Sequence, residues 1–333
     1  MTTPLPPRIR VFVGVARVLM KLRLMPTPEK ALEQPHAQRL QRRALGFACG
    51  PGDQTIRTWD VRVPGRGGPI PARVYARPDL QPGAPGYLFI HGGGFIDAGL
   101  DFTDYVQRGL AARTGGVVVG LSYRLAPEHP FPAGLEDCQD VLRWMADSRP
   151  QGMDAARIAV AGESAGANLA AALCIWARDH DAPRIAHQTI VYPFTDTTLT
   201  SHDWDSGLMP GITRSAGELM VRVYAGAENA ANPLVSILHA DHRRLPPALV
   251  VSCGHDPLRT DGIKFAEALK AAGVDTKHTH YDDMPHGYLL FPKLTRTADD
   301  SLDEIAAESM RHLGTPIVAS TVKRDSVAQV SHL

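Results

Sequence analysis

The segment Gly162-Glu163-Ser164-Ala165-Gly166 constrains the fold of this chain more than any other. An apolar run, 157–161, precedes it, and an Ala/Leu-rich pattern with helical spacing, 168–178, follows it. The serine therefore sits where a strand turns sharply into a helix. The flanking glycines permit that turn because neither carries a Cβ. Strands linked through helices make a largely parallel sheet, and the remaining sequence agrees. Residues 87–90, 117–122, 188–192, 248–253 and 276–281 read as strands, while 135–147 and 263–272 carry apolar residues at three- and four-residue spacing. Residues 55–63 and 70–76 read as an opening antiparallel pair joined through the turn from Gly65 to Gly68. The expectation is one α/β sheet covered by helices on both faces.

Composition narrows the partners. Lys+Arg and Asp+Glu number 35 each in 333 residues, so no net field draws nucleic acid or anionic lipid from a distance. Cys49, Cys138, Cys174 and Cys253 form no CxxC pair and read as reduced core thiols of a cytoplasmic protein. No 18-residue uncharged apolar run is present, which argues against membrane insertion. Residues 8–25 mix Arg8, Arg10, Arg17, Lys21 and Arg23 with apolar side chains, as an amphipathic helix does. Only six residues separate Arg10 from Arg17, too few for the apolar core of a secretory leader. A structural helix is the preferred reading, and weak attachment to a membrane surface through 8–25 is the alternative. The βα alternation fails up to about residue 50 and again over 195–233, so both stretches are candidates for a cap. Residues 314–333 lack periodicity and read as a flexible tail.

Several residues carry chemistry. A serine in the Gly162–Gly166 setting is exposed and aimed outward, the arrangement of a nucleophile elbow. His91-Gly92-Gly93-Gly94-Phe95 follows the strand 87–90 and matches an HGGG-type oxyanion motif. Backbone without side chains lets N–H groups approach a developing oxyanion, and Gly92, Gly93 and Ala165 are the expected donors. The nucleophile needs a base and an orienting carboxylate, in the chain order serine, acid, histidine. Asp256, just after strand 248–253, and His286, past strand 276–281, fit that order. Asp261 is the rival carboxylate but falls within the next helix, and His255, His278 and His280 read as structural. The spacings His239-Ala240-Asp241-His242 and His278-x-His280 suggest metal ligands, yet neither has a convincing third ligand; solvated surface histidines and no metal are expected.

With these residues together, the chain resembles the hormone-sensitive-lipase family of bacterial carboxylesterases, within the α/β-hydrolase superfamily. The match runs from about Tyr87 to about Tyr288 and includes Tyr123-Arg124-Leu125-Ala126-Pro127-Glu128-His129-Pro130-Phe131-Pro132-Ala133, Asp256-Pro257-Leu258-Arg259 and His286-Gly287. The resemblance implies a mostly parallel eight-stranded α/β-hydrolase sheet with a helical cap. The cap would come from residues 1–50 and from an insertion near 195–233 in a catalytic domain of 51–313. It also implies hydrolysis of short- to medium-chain acyl esters, without a cofactor, through an acyl-enzyme. A small-molecule ester is the expected partner, and the assembly a monomer or homodimer. Lactonase or amidase action, or a non-catalytic receptor on the same fold, are the alternatives. Glu163, Ala167, Ser122, Thr260 and Asp283 depart from the family's usual residues. Phe95, Phe194, Trp204, Leu208, Met209 and Met25 are candidates to line the pocket under the cap.

Overall fold

A computed structural model describes residues 3–22, 24, 48–200, 203–204 and 212–314. Its centre is one eight-stranded sheet in the order β1-β2-β4-β3-β5-β6-β7-β8. The strands are β1 (Arg57–Val63), β2 (Ile70–Ala76), β3 (Pro85–Ile90), β4 (Val117–Leu121), β5 (Asp154–Glu163), β6 (Ile185–Val191), β7 (Ala248–His255) and β8 (Thr276–Pro285). The expected antiparallel opening is present, with β1 on β2 and β2 on β4; every later pair is parallel.

Seven helices of two turns or more accompany the sheet among the described residues: α1 (Pro7–Lys21), α2 (Asp104–Thr114), α3 (Ala133–Ser148), α4 (Ala165–Asp179), α5 (Arg214–Tyr224), α6 (Arg259–Ala271) and α7 (Thr297–Leu313). Successive strand side chains point to opposite faces, which divides the core in two. Leu88, Ile90, Val119 and Val160 face a layer with α3, α4 and α6, whereas Tyr87, Phe89, Val118 and Ala161 face α1, α2 and α7. Strands β3 and β4 are buried on both faces, so their sequences are continuously apolar. The helices α2 and α7, which periodicity does not single out, complete the second layer. Tyr87 hydroxyl meets Ser309 Oγ at 3.1 Å and ties α7 to the sheet centre.

The N-terminal helix is amphipathic as expected, though its outer face is mixed. Ile9 and Val13 are buried and Phe12 packs on Phe291 with ring centroids 5.4 Å apart. Val11, Val15, Val18 and Leu22 are exposed beside the basic residues. No described helix is long and apolar enough to cross a membrane. The four cysteines are unpaired, and Cys138, Cys174 and Cys253 are buried. About half of the expected N-terminal cap, residues 201–202 and 205–211 of the 195–233 stretch, and all but the first residue of the 314–333 tail lie outside the described residues.

Candidate active site

Because β5 runs parallel to its neighbours, its C-terminal end lies at the same sheet edge as those of β3, β7 and β8. Ser164 stands there, between β5 and α4, with φ 57° and ψ −123°. That left-handed backbone is costly for a residue with a Cβ. It is held by the Ser164 N–H donating to Val191 O at 2.9 Å and by Ser164 O accepting from the Ala167 and Asn168 amides at 3.0 and 3.2 Å. The flanking glycines are required by space. A Cβ on Gly162 would lie 2.2 Å from Gly166 O, and one on Gly166 would lie 2.2 Å from Ile90 O and 2.4 Å from His91 O.

The two residues expected to act with Ser164 meet it. The Ser164 hydroxyl lies 2.9 Å from His286 Nε2, and His286 Nδ1 lies 2.8 Å from Asp256 Oδ2. Asp256 Oδ1 also accepts from the Leu258 N–H at 2.7 Å, which fixes the carboxylate plane. His286 and Asp256 are buried, while Ser164 is half-buried. Burial alone would lower the imidazole pKa. The Asp256 charge and hydrogen bond, with the Glu163 charge behind them, outweigh burial and hold His286 above its ordinary value.

The competing residues go elsewhere. Asp261 Oδ2 accepts from the Thr195 and Asp196 N–H groups at 2.9 and 3.0 Å, bracing the chain after β6 against α6. His255 Nε2 lies 2.7 Å from Thr3 O, and His278 and His280 both contact Ser252 Oγ, at 2.8 and 2.7 Å. His242 departs from the solvated histidine expected: it is buried, edge-on to Phe265, and its Nε2 lies 2.8 Å from Ile237 O.

The oxyanion loop differs from expectation at one residue. The Gly92 N–H donates to Glu163 Oε1 at 2.5 Å, so it is committed to a carboxylate and is not free to meet substrate. Gly92 is glycine for the same reason, since a Cβ there would lie 2.4 Å from Glu163 Oε1. Burial pushes the Glu163 carboxyl up further than nearby His286 and the Gly92 N–H pull it down. The amides of Gly93, Gly94 and Ala165 have no protein acceptor among the described residues. Gly93 and Gly94 adopt positive φ, 100° and 64°, which turns the loop back across the strand end.

Comparison with known proteins gives this geometry a context. A family model described as alpha/beta hydrolase fold matches residues 87–290, more than half of the chain. The chain belongs to this hydrolase family. Curated relatives of the hydrolase include Esterase LipI of Mycobacterium tuberculosis, 37% identical over 261 residues that cover 74% of this chain and 79% of the relative. Carboxylesterase NlhH of the same organism is 37% identical over 240 residues, covering 70% of this chain and 75% of NlhH. Among solved structures, the hyperthermophilic esterase of Pyrobaculum calidifontis superimposes with a TM-score of 0.82 at 33% identity, covering 93% of this chain and 99% of that one. The resemblance to hormone-sensitive-lipase-like esterases therefore stands.

Three supporting residues of the hydrolase had no sequence signal. Asn168, at the start of α4, donates through Nδ2 to Phe194 O and Val235 O, both at 2.7 Å, and so joins the elbow to the segment after β6. Asp203 pairs with Arg259 at 2.6 Å and accepts from the Thr260 N–H at 3.1 Å, which gives the unusual Thr260 a partner. Tyr224 of α5 stacks on Phe95 at 3.9 Å with the planes 4° apart. Asp203 and Tyr224 come from distant segments, and Asn168 reaches carbonyls of distant segments. Of the pocket candidates, Phe95, Phe194 and Trp204 are buried and pack in series, Phe95 on Phe194 at 6.3 Å and Phe194 on Trp204 at 5.6 Å. Met25, Leu208 and Met209 lie outside the described residues.

Proposed function

We propose that this hydrolase is a serine carboxylesterase that cleaves short- to medium-chain acyl esters without a cofactor. The observation that carries the reading is the unbroken chain of contacts from Ser164 Oγ through His286 to Asp256, 2.9 and 2.8 Å long, at the sheet's C-terminal edge. Ser164 Oγ attacks the ester carbonyl as His286 Nε2 takes its proton. The carbonyl oxygen becomes an oxyanion facing the amides of Gly93, Gly94 and Ala165, with Gly94 in the place first assigned to Gly92. Collapse of the tetrahedral species breaks the bond to the alkoxy group, which leaves as an alcohol with the proton from His286. Water, deprotonated by the same imidazole, then releases the carboxylic acid and restores Ser164. Asp256 keeps the Nδ1 proton in place and stabilises the imidazolium. The names of the relatives, esterase and carboxylesterase, support the ester as substrate class, and an ethyl acetate hydrolase of Pseudomonas putida, 29% identical, favours small acyl groups.

The same reading makes 1–50 and 195–233 a cap over a catalytic domain of 51–313. The contacts that support it are Thr3 against His255 beside the end of β7, and α5 against the oxyanion loop. Four unpaired thiols fit a cytoplasmic location. The exposed apolar row on α1 fits weak attachment to an anionic membrane surface, and the working form is a monomer or homodimer. The deciding experiment compares wild type and Ser164→Ala on p-nitrophenyl esters from acetate to palmitate, with the pre-steady-state burst recorded. Wild type is expected to show a burst of one equivalent and best turnover on short to medium chains, and Ser164→Ala to lose up to ~10⁶ in kcat. Folded wild-type protein with no burst on any ester would overturn the reading in favour of a ligand-binding protein.

A further inference from the structure

The opposite edge of the sheet carries a second cluster of potential ligands that ester hydrolysis does not use. His187 is the third residue of β6, and Glu308 and His312 stand one turn apart near the end of α7. Three potential ligand atoms, one from each, lie within 4.8 Å of one another. The two imidazoles are stacked, 5.2 Å between centroids and 22° between planes. His187 is fully buried; its Nδ1 lies 3.5 Å from Thr189 Oγ1, while its Nε2 meets no described hydrogen-bond partner. A buried ring nitrogen without a partner costs free energy unless something fills the position.

We propose that His187, Glu308 and His312 form a structural site for a divalent transition-metal ion, zinc by its donor set, clamping β6 to α7. Two imidazoles and a carboxylate are a common zinc set, leaving a fourth position for water or a further carboxylate. Asp275 is the fourth candidate, its Oδ2 3.9 Å from His312 Nε2 in the turn before β8, and it is exposed, so the ion enters from that side. Spacing of Glu308 and His312 at i and i+4 puts both on one helix face. Ligand atoms around tetrahedral zinc stand about 3.3 Å apart, so the cluster must contract by an ångström or so. His312, half-buried near the helix end, can supply that movement. Arg311 already binds Glu308 Oε1 at 2.6 Å and Asp275 at 3.3 Å. His312 Nε2 lies 3.4 Å from the same Oε1, a contact the ion would replace, and two carboxylates against one guanidinium leave negative charge to offset the cation. His187, Asp275 and the end of α7 adjoin the N-terminal ends of the parallel strands, whereas Ser164, Asp256 and His286 follow C-terminal ends, so the ion takes no part in the acyl-transfer chemistry.

The test uses the full chain, stripped with a chelator and titrated with Zn²⁺ alone, read by calorimetry and by thermal melting. Wild type is expected to bind one equivalent and melt at higher temperature. His312→Gln should weaken binding by at least ~100-fold and abolish the rise in melting temperature, while p-nitrophenyl acetate turnover of both proteins stays unchanged. Because His187 is buried and Glu308 also holds Arg311, the half-buried His312 is the variant that isolates the ligand without unfolding the chain. His280→Gln serves as a control, since His280 and Asp282, 3.2 Å apart, are another place for a cation. Absence of saturable zinc binding by wild type, or binding that survives His312→Gln but not His280→Gln, would overturn the proposal.

Discussion

Ser164, the proposed nucleophile, sits on a strained backbone. A backbone at φ 57°, ψ −123° is readily adopted by glycine and resisted by any residue with a Cβ. Ser164→Gly should therefore abolish turnover yet raise unfolding stability by about 1–2 kcal/mol, whereas Ser164→Ala, which keeps the Cβ, should gain little. Urea denaturation of the two variants separates strain from chemistry, and equal midpoints would remove the strain argument. His286 supplies a second expectation. As the proposed base it must be neutral, and its pKa is raised by Asp256 and Glu163 against the pull of burial, so kcat/KM should climb through a limb above the free-imidazole value of ~6.5. Glu163→Gln removes one of those negative charges but keeps a side-chain oxygen for the Gly92 N–H, so the limb should move to lower pH. A limb that stays put or moves up would show that Glu163 does not act on His286 through charge. At this scale the sequence is unevenly legible. Motif context and chain order suffice to bring Ser164, Asp256 and His286 together, but the Gly92 N–H is captured by a carboxylate 71 residues away, and no local pattern records that reach.

Elements are legible where periodicity is strong and obscure where tertiary contact decides. The inner strands β3 and β4 are legible because continuous burial on two faces writes continuous apolar runs. By contrast α2 and α7 meet through charges at the rim of their contact: Arg113 of α2 bonds Asp299 and Asp303 of α7, at 2.8 and 2.6 Å, and each looks polar until the other is placed. The β5–α4 turn shows how narrowly such packing is set. A Cβ on Gly166 would strike the backbone carbonyls of Ile90 and His91, which cannot rotate away as a side chain would. Gly166→Ala should thus cost roughly 2–4 kcal/mol and drag the oxyanion loop out of line, with turnover falling alongside stability. An alanine variant with unchanged melting temperature would mean that the strand ends yield. The α6 junction makes a pH-dependent prediction. Burial, with the Asp196 and Asp256 charges nearby, outweighs two backbone hydrogen bonds and pushes Asp261 up to about 7. A carboxyl whose folded pKa is raised lends stability in full below its unfolded value, near 4, and loses it as pH rises through 7. Asp261→Asn has no such loss, and its oxygen can still accept from Thr195 and Asp196. Relative to wild type it should gain on the order of 2–4 kcal/mol between pH 4 and pH 8, measured as the change in urea midpoint. A difference that does not vary with pH would place the Asp261 charge in water.

At the scale of the whole molecule, the proposed cap would meet a rigid sheet edge, and the contact between them is where substrate choice should reside. The sequence marks the proposed cap only by loss of βα rhythm, because a covering segment is free to vary in many ways. What the structure adds is a specific contact. Met220 on α5 crowds Gly94, its Sδ only 2.6 Å from where a Gly94 Cβ would stand, and Tyr224 one turn later lies flat on Phe95. The residue after an expected oxyanion donor is thus roofed by a flexible, half-buried thioether, a side chain that adapts its shape without polar demands. If α5 bounds the acyl pocket, shortening this side chain should deepen it while leaving the proton chemistry alone. Met220→Ala is then expected to shift the best p-nitrophenyl ester toward longer acyl chains, by roughly 10-fold or more in relative kcat/KM, since each methylene accommodated is worth ~1 kcal/mol or more. Met220→Trp should shift it toward acetate. The pH limb set by His286 should be the same in all three proteins, which distinguishes a change in pocket depth from a disturbed triad. An acyl-length profile indifferent to both substitutions would remove α5 from the pocket and return selectivity to residues of the sheet edge itself.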